Sequence, residues 1–256
     1  MAIRFNVVSN VAEISGTIAA EKRAVNFAVI KALTRTARDA RPELQTEMRK
    51  VFDRPTPYTL NSVFVSAATR ANPVARVWIK DDRAGSGTPA TKYLLPQIEG
   101  GTRNRRASER RLESVLVLPR GWFLVPGARA KRDQYGNWSN GELKQVLSWF
   151  QAAQPTSGYS ANLTPERRKR LKKGTKKRRG FEYFAVRPGD KAARWLRPGI
   201  YRKTKFGFGG AIEPIAIFVQ SVTYRQRLDF YGVVQRVAET RFYRNLLDAL
   251  AEERVR

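Results

Sequence analysis

The 256-residue sequence contains no cysteine and no histidine. Without cysteine the chain has no disulfide, no thiolate nucleophile and no cysteine-held metal cluster. Without histidine it lacks the side chain that most often serves as general base or metal ligand near neutral pH. Catalytic Ser-His-Asp and Cys-His arrangements and histidine-ligated metal sites are therefore excluded.

Long apolar runs are also missing. No stretch approaches the roughly 18 consecutive apolar residues of a membrane span, so we expect no membrane partner. Residues 1–5 lack the apolar segment of a signal peptide, which predicts a protein that is made in the cytosol and stays there.

Positive charge dominates what is present. Lysine and arginine total 49 against 22 aspartate and glutamate residues, which gives a net charge of +27. Residues 1–54 carry ten basic and six acidic side chains, and residues 222–256 carry seven and five. Most of the excess therefore lies in residues 55–221, and a field of this sign attracts nucleic acid or acidic proteins.

Hydrophobic periodicity predicts helices at both ends of the chain. Apolar residues recur at helical spacing over 13–39, over 44–52 and over 224–253. Pro42 predicts a kink or break near Arg41, because proline removes a backbone donor. A shorter helix is predicted over 141–153.

The segments between the terminal helices predict strands. They are short, β-branched or aromatic runs at 62–66, 75–80, 114–118, 122–125, 181–186, 199–202 and 212–219. This order predicts an α+β fold, with a mostly antiparallel sheet packed against long N- and C-terminal helices. We interpret residues 1–256 as a single domain with extended basic loop insertions at about 83–111 and 155–180.

The strongest local signal is a basic run at 167–179, in which ten of thirteen residues are basic. The run comprises Arg167, Arg168, Lys169, Arg170, Lys172, Lys173, Lys176, Lys177, Arg178 and Arg179. Such a run repels itself and is expected to be extended or disordered unless an anion compensates it. It is suited to sequence-independent contact with phosphates; a solvated loop, or pairing with acidic patches on a neighbouring subunit, is the alternative.

A second basic cluster contains Arg103, Arg105 and Arg106, which we also assign to polyanion contact. Glu109 and Glu113 follow closely, so internal pairing is as compatible with the sequence as ligand binding. Several aromatic residues lie near these basic segments, among them Trp122, Trp138, Trp149, Tyr159, Tyr183, Trp195, Tyr201, Phe206 and Phe208. Exposed rings would stack on unpaired bases, but packing in the core is the more common role.

One triple resembles the acidic site of metal-dependent nucleases. Asp133, Glu142 and Lys144 have suitable chemistry for holding magnesium and assisting a water. Lys144 falls inside a predicted helix and Asp133 in a loop, and such triples arise by chance in a highly charged chain. We therefore predict no catalytic residue, no metal site, no cofactor and no enzymatic activity.

The layout as a whole resembles a known family. The resemblance rests on Ala24-Val25-Asn26-Phe27-Ala28, on Ala32-Leu33-Thr34-Arg35-Thr36-Ala37, on the basic middle, and on Glu213-Pro214-Ile215-Ala216-Ile217-Phe218-Val219 running into a long helix. These features are similar to the minor tail protein Z group of tailed bacteriophages, which is related in role to tail-completion proteins at the neck.

The resemblance implies a structural virion protein of the tail or neck that works as one subunit of a ring at the head–tail junction. Its expected partners are further copies of itself, the tail tube, the tail terminator or connector proteins, and DNA in the lumen. The alternative from the residues alone is a sequence-independent nucleic-acid-binding protein that uses the run at 167–179.

Overall fold

The structure is a computed structural model that describes residues 4–7, 19–81, 88–153, 161–176, 178–206 and 209–254. Its helices within these residues are α1 (Ala19–Val51), α2 (Pro57–Leu60), α3 (Thr91–Glu99), α4 (Ala107–Ser114), α5 (Asn140–Trp149), α6 (Pro165–Lys173) and α7 (Phe230–Arg254). Its strands are β1 (Arg4–Val7), β2 (Val63–Ser66), β3 (Ala75–Ile79), β4 (Gly101–Thr102), β5 (Phe123–Pro126), β6 (Gly174–Thr175), β7 (Arg178–Arg179), β8 (Phe181–Val186), β9 (Gly199–Phe206), β10 (Gly209–Val219) and β11 (Thr223–Tyr224).

The predicted α+β class is confirmed, with antiparallel sheets and with long first and last helices that pack against a sheet. The chain forms two compact units. Unit 1 consists of residues 1–101 and 224–256, and unit 2 consists of residues 102–223. The single domain over residues 1–256 stays a prediction, because a compact unit need not fold independently.

Unit 1 combines a three-stranded antiparallel sheet, in the order β1-β3-β2, with α1 and α7. The predicted pairing of β2 with β3 is confirmed and places Phe64 opposite Trp78. The core contains one stripe of α1, whose members recur every three or four residues: Val29, Leu33, Ala37, Ala40, Leu44 and Met48. This spacing places them on one helix face, which packs with Val77 and Ile79 of β3 and Val234 of α7.

Polar contacts fix α1 against α7 along its length. Asn245 donates to Asp39, Arg241 pairs with Glu43, and Lys31 pairs with Glu252 at 2.6 Å. The residue numbers of the partners on α7 rise as those on α1 fall, so the two helices run antiparallel.

Of the kink or break predicted near Arg41, the break is wrong. Pro42 lies inside α1, which continues from Ala19 to Val51. Ala40 and Leu44 on either side are buried in the core, and this packing outweighs the loss of one backbone hydrogen bond. The part of the predicted helix at residues 13–18 lies outside the described residues.

Unit 2 contains a four-stranded antiparallel sheet in the order β5-β10-β9-β8. One face of the sheet is covered by α5. Its Val146, Leu147 and Trp149 pack with Ile200 of β9 and Phe218 of β10. The strands predicted at 122–125, 181–186, 199–202 and 212–219 correspond to β5, β8, β9 and β10, of which the last two extend further than predicted.

The basic loop predicted at about 83–111 is largely helical where the structure describes it. Residues 83–87 lie outside the described residues, and α3 and the first half of α4 follow. In α3 the buried residues Leu94 and Ile98 lie one turn apart, so this segment has a core-facing side. The strand predicted at 114–118 is also wrong, because residue 114 ends α4 and a turn with Leu116 at positive φ follows.

None of the helices in the described ranges is long and apolar enough to cross a membrane.

Candidate polyanion-binding surface

The basic run predicted to be extended forms a helix over most of its first half. Thr164 caps α6 through a side-chain oxygen that accepts the Arg167 N–H at 3.3 Å, and Pro165 occupies the first turn. Glu166 lies near the N-terminus, whereas Arg170, Lys172 and Lys173 lie in the last turn. This order of charges complements the helix dipole, so local capping and electrostatics offset the repulsion.

Helix α6 is anchored to unit 2 by its inner side. Leu171 packs against the core cluster beneath the sheet. The guanidinium of Arg168 lies 5.0 Å from the centre of the Trp149 ring and donates to the Trp149 carbonyl. These contacts hold the helix in one orientation, so its other side faces solvent.

An ion pair adds a second anchor at the C-terminal end of α6. Lys172 Nζ lies 2.6 Å from the Glu182 carboxylate on β8. The hydrogen bond from Lys172 lowers the pKa of Glu182, and the charges of Lys203 and Lys205 on β9 act in the same direction. This carboxylate therefore stays ionised and offsets part of the local positive charge.

A short hairpin continues the surface beyond α6. Strands β6 and β7 pair antiparallel, with Thr175 opposite Arg178, and the Arg178 N–H donates to Thr175 Oγ1 at 3.1 Å. Gly174 ends the helix at a φ of 75°, where a Cβ would collide with the backbone of Gly180. Arg179 lies 4.5 Å from the centre of the Phe206 ring, which fixes the returning strand.

The cations on the solvent side form what we name the α6–β7 surface, defined as Lys169, Arg170, Lys173, Lys176 and Arg178, all of which are exposed. Lys169 and Lys173 lie one turn apart on α6. Arg167 is exposed as well but makes a further contact, and Lys177 lies outside the described residues. The arrangement presents a row of charges on a fixed frame, which is suited to neutralising phosphates.

The second basic cluster has a different role in two of its three members. Arg103 is only 8% exposed and is paired with Glu109, which is fully buried, so its guanidinium is engaged inside unit 2. Arg105 pairs with Glu113, which realises the internal pairing that the sequence left open. Arg106 is exposed at the N-cap of α4, where its backbone N–H donates to Glu109 at 2.6 Å.

Two members of the triple that resembled a nuclease site, Glu142 and Asp133, make structural contacts. Glu142 is 4% exposed, accepts from the Lys131 N–H at 2.7 Å and from Trp138 Nε1 at 3.0 Å, and lies 3.6 Å from Arg202. Asp133 is exposed and caps its own turn by accepting from Asn137 N–H. In the part of the chain that the structure describes, no group of three or more carboxylates is arranged to hold a metal ion.

Burial beside Glu142 also affects a tyrosine. Desolvation, with a smaller contribution from the Glu142 charge, raises the pKa of Tyr183 to about 12. Its hydroxyl donates to Gln145 Oε1 at 3.2 Å. Tyr183 is therefore a neutral hydrogen-bond donor of the core at physiological pH.

Three residues that support the surface could not be assigned from the sequence alone, namely Trp149, Glu182 and Phe206. Trp149 precedes its partner Arg168 by 19 residues. Glu182 on β8 and Phe206 on β9 reach their partners on α6 and β7 only in the folded unit. The sequence shows only that aromatic residues lie near basic ones, and this does not indicate which aromatic ring contacts which basic side chain.

Removing the cap of α6 tests how it is ordered. Thr164→Ala should lower the local stability of α6 by about 1 kcal/mol, because the Arg167 N–H loses its acceptor. Amide hydrogen exchange in α6 should then speed up about fivefold. Ser139→Ala is the matched control, because Ser139 caps α5 without a side-chain hydrogen bond, and it should leave α5 exchange unchanged. Equal effects of the two substitutions would contradict the capping role.

Comparison of the chain with models of known protein families, with curated proteins and with solved structures gives no significant match.

Proposed function

We propose that this chain is a structural virion protein of a tailed bacteriophage, one subunit of a homo-oligomeric ring in the tail or neck that completes the tail or joins it to the head. Its partners are the tail tube, the tail terminator or connector proteins, and DNA. The observation that carries the proposal is the α6–β7 surface, where fixed cations face solvent on a structured frame.

The electrostatic argument favours DNA as the counterpart of this surface. A chain with a net charge of +27 gains most from a partner of high negative charge density. Phosphates along DNA meet this requirement, and their neutralisation releases condensed counterions. The contact depends on charge and spacing, so it would hold DNA without reading its sequence.

A structural role agrees with how the acidic side chains are used. Glu142 and Glu109 are buried and bound to backbone N–H groups and arginines, so they hold unit 2 together. The similarity in layout to the minor tail protein Z group supports the same role. We propose that the protein works by assembly and by charge neutralisation, without a chemical step.

Assembly requires a surface for neighbouring copies, and α7 offers a candidate. Tyr243 and Leu247 expose 68% and 48% of their surfaces and lie one turn apart. Exposed aromatic and aliphatic side chains of this kind often anchor protein interfaces.

The oligomeric state tests the proposal. We expect the purified protein to form a symmetric ring in electron micrographs and a matching mass in light scattering, and the double substitution Tyr243→Ser with Leu247→Lys should give smaller species. Tyr58→Ser, at another exposed position, should keep the ring. A strict monomer without affinity for other tail components would contradict the proposal.

A second candidate is a sequence-independent nucleic-acid-binding protein that acts without a ring, and the same α6–β7 surface favours it. The two candidate functions predict different neighbouring genes and different oligomeric states. Capsid, connector and tape-measure genes beside this one would support the virion protein, whereas a monomer that coats DNA would support the alternative.

A further inference from the structure

The segment that connects β8 to β9, residues 187–198, exposes a tryptophan. Trp195 presents 71% of its surface to solvent, although tryptophan is among the residues that gain most from burial. It lies two residues after a short 3₁₀ turn at Lys191–Ala193. An indole held outside the core in this way requires a reason other than packing within unit 2.

Four cationic residues lie on either side of Trp195 in the sequence of the segment. They are Arg187, Lys191, Arg194 and Arg197, and all of them are exposed. Among the ion pairs of the described residues, none involves these four side chains. The acidic residue of the segment, Asp190, accepts the Arg187 N–H at 3.1 Å. The cations are therefore available to an anionic ligand.

Backbone hydrogen bonds order the segment. The Asp190 N–H donates to the Arg187 carbonyl at 3.1 Å, the Leu196 N–H donates to the Ala193 carbonyl at 2.9 Å, and the Tyr201 hydroxyl donates to the Arg197 carbonyl at 2.7 Å. The last contact ties the segment to β9. The backbone that carries Trp195 is thus ordered before any ligand binds, which lowers the entropic cost of binding.

A cavity of about 440 Å³ lies within the same segment. Val186, Leu196 and Pro198 give it apolar walls, and Arg187, Lys191 and Arg194 give it cationic ones. Asp190 also lines it, whereas Trp195 lies between two lining residues in the sequence and is not itself part of the wall. Its volume falls in the roughly 300–1,000 Å³ range of small-ligand sites. Apolar walls beside cations suit a ligand that combines a flat apolar group with a phosphate.

We propose that residues 187–198 bind unpaired nucleotides of single-stranded nucleic acid. A base stacks on the Trp195 ring, and the adjoining phosphates bind Arg187, Lys191 and Arg194. Cationic side chains combined with an exposed aromatic ring are the means by which proteins hold single strands without sequence preference. A duplex keeps its bases stacked inside, so this site discriminates between single and double strands.

Two other occupants fit the segment less well. A second copy of the chain would have to place a patch of acidic side chains against these four cations, and acidic residues number only 22 against 49 basic ones. A membrane surface would require a broad apolar face, as on amphipathic helices, whereas this segment offers one exposed indole beside four cations.

The site is separate from the α6–β7 surface. Strand β8 has six residues and lies between β7 and residue 187, which corresponds to roughly 20 Å of extended chain. The inference therefore does not rest on the proposed function, and each surface can be altered while the other is left intact.

The test measures fluorescence anisotropy of labelled (dT)12 and of a labelled 12-base-pair duplex with the full chain. Trp195→Ala should weaken (dT)12 binding roughly 5- to 100-fold, the range expected for the loss of one stacked base. It should change duplex binding less than about twofold, because duplex contact is electrostatic. Trp195→Phe should retain most of the (dT)12 affinity, since a smaller ring still stacks. Tyr58→Ala, which removes an exposed aromatic ring elsewhere, should leave both affinities unchanged.

Several outcomes would overturn the inference. One is an unchanged (dT)12 affinity in Trp195→Ala, and another is an equal loss of (dT)12 affinity in Tyr58→Ala. A third is binding to phosphatidylserine vesicles that depends on Trp195 while (dT)12 binding does not. The fourth is a loss of self-association in Trp195→Ala. Circular dichroism of each variant verifies that it is folded. If Trp195→Ala did not change (dT)12 binding, the proposed duplex binding by the α6–β7 surface would be unaffected. If the protein did not bind duplex DNA, the measured effect of Trp195→Ala on (dT)12 binding would still be valid.

Discussion

Glu109→Ala should lower the free energy of unfolding by about 3–5 kcal/mol, the usual cost of removing one partner from a buried ion pair. Glu109 is fully buried and Arg103 is 8% exposed. The carboxylate accepts from Leu124 N–H at 2.8 Å and from Arg106 N–H at 2.6 Å, in addition to Arg103. Its removal leaves the Leu124 and Arg106 N–H groups without that acceptor and leaves the buried Arg103 guanidinium without its counter-ion, with only the Asn104 and Leu124 carbonyls to accept from it. Urea denaturation measures the loss.

Glu113→Ala is the matched control for this prediction. Glu113 also pairs with an arginine, Arg105, but both side chains are about one quarter exposed, and pairs in contact with solvent are worth about 0–1 kcal/mol. A loss in Glu109→Ala no larger than in Glu113→Ala would show that the buried pair does not hold α4 to β5.

Acid should reduce the contribution of the same carboxylate. Burial raises the pKa of Glu109, but the hydrogen bonds from Arg103, Leu124 and Arg106 outweigh this effect, so the pKa of the carboxyl lies below its ordinary value of 4.5. The unfolded state then binds more protons than the folded state, so this stability is present above pH 4.5 and is lost as pH falls through the folded pKa. The difference between the wild type and Glu109→Ala should shrink accordingly in acid.

Neutralising four cations of the α6–β7 surface should have the largest effect on DNA binding. We expect the variant with Lys169, Arg170, Lys173 and Lys176 replaced by glutamine to lose duplex affinity by on the order of 10³-fold near 0.1 M salt. Each phosphate contact contributes about 0.9 to the slope of log affinity against log salt, so the slope should become shallower by about 3 to 4. Titrations at several salt concentrations measure both quantities.

The control variant for this prediction has the same net charge. It replaces Lys50, Lys92, Lys131 and Lys144, which are exposed but lie outside the α6–β7 surface, by glutamine. Its affinity and its salt slope should stay close to those of the wild type. If both variants lost affinity equally, net charge would account for binding and the surface would have no special role.

The long elements of the fold could be predicted because their periodicity extends over many residues. The buried stripe of α1 from Val29 to Met48 and the alternation in β3 are local patterns that one sequence displays in full. The break expected at Pro42 was wrong because its cost is local, whereas the packing that outweighs it comes from β3 and α7, which are distant in the chain.

The candidate site could be predicted only in part. The sequence indicated which residues carry the charge, but repulsion alone predicted an extended run, and the Thr164 cap together with the packing of Arg168 on Trp149 makes it a helix. Arg103 and Arg106 look alike in the sequence. Only the fold buries Arg103 against Glu109 and leaves Arg106 exposed.

Contact between duplex DNA and the solvent side of α6 with the β6–β7 hairpin can be measured by lysine acetylation of the protein with and without DNA, read out by mass spectrometry. We predict that DNA protects Lys169, Lys173 and Lys176 from acetylation, while Lys92 and Lys144, which are exposed elsewhere, react at an unchanged rate. Equal rates at all five lysines with and without DNA would contradict the proposed contact.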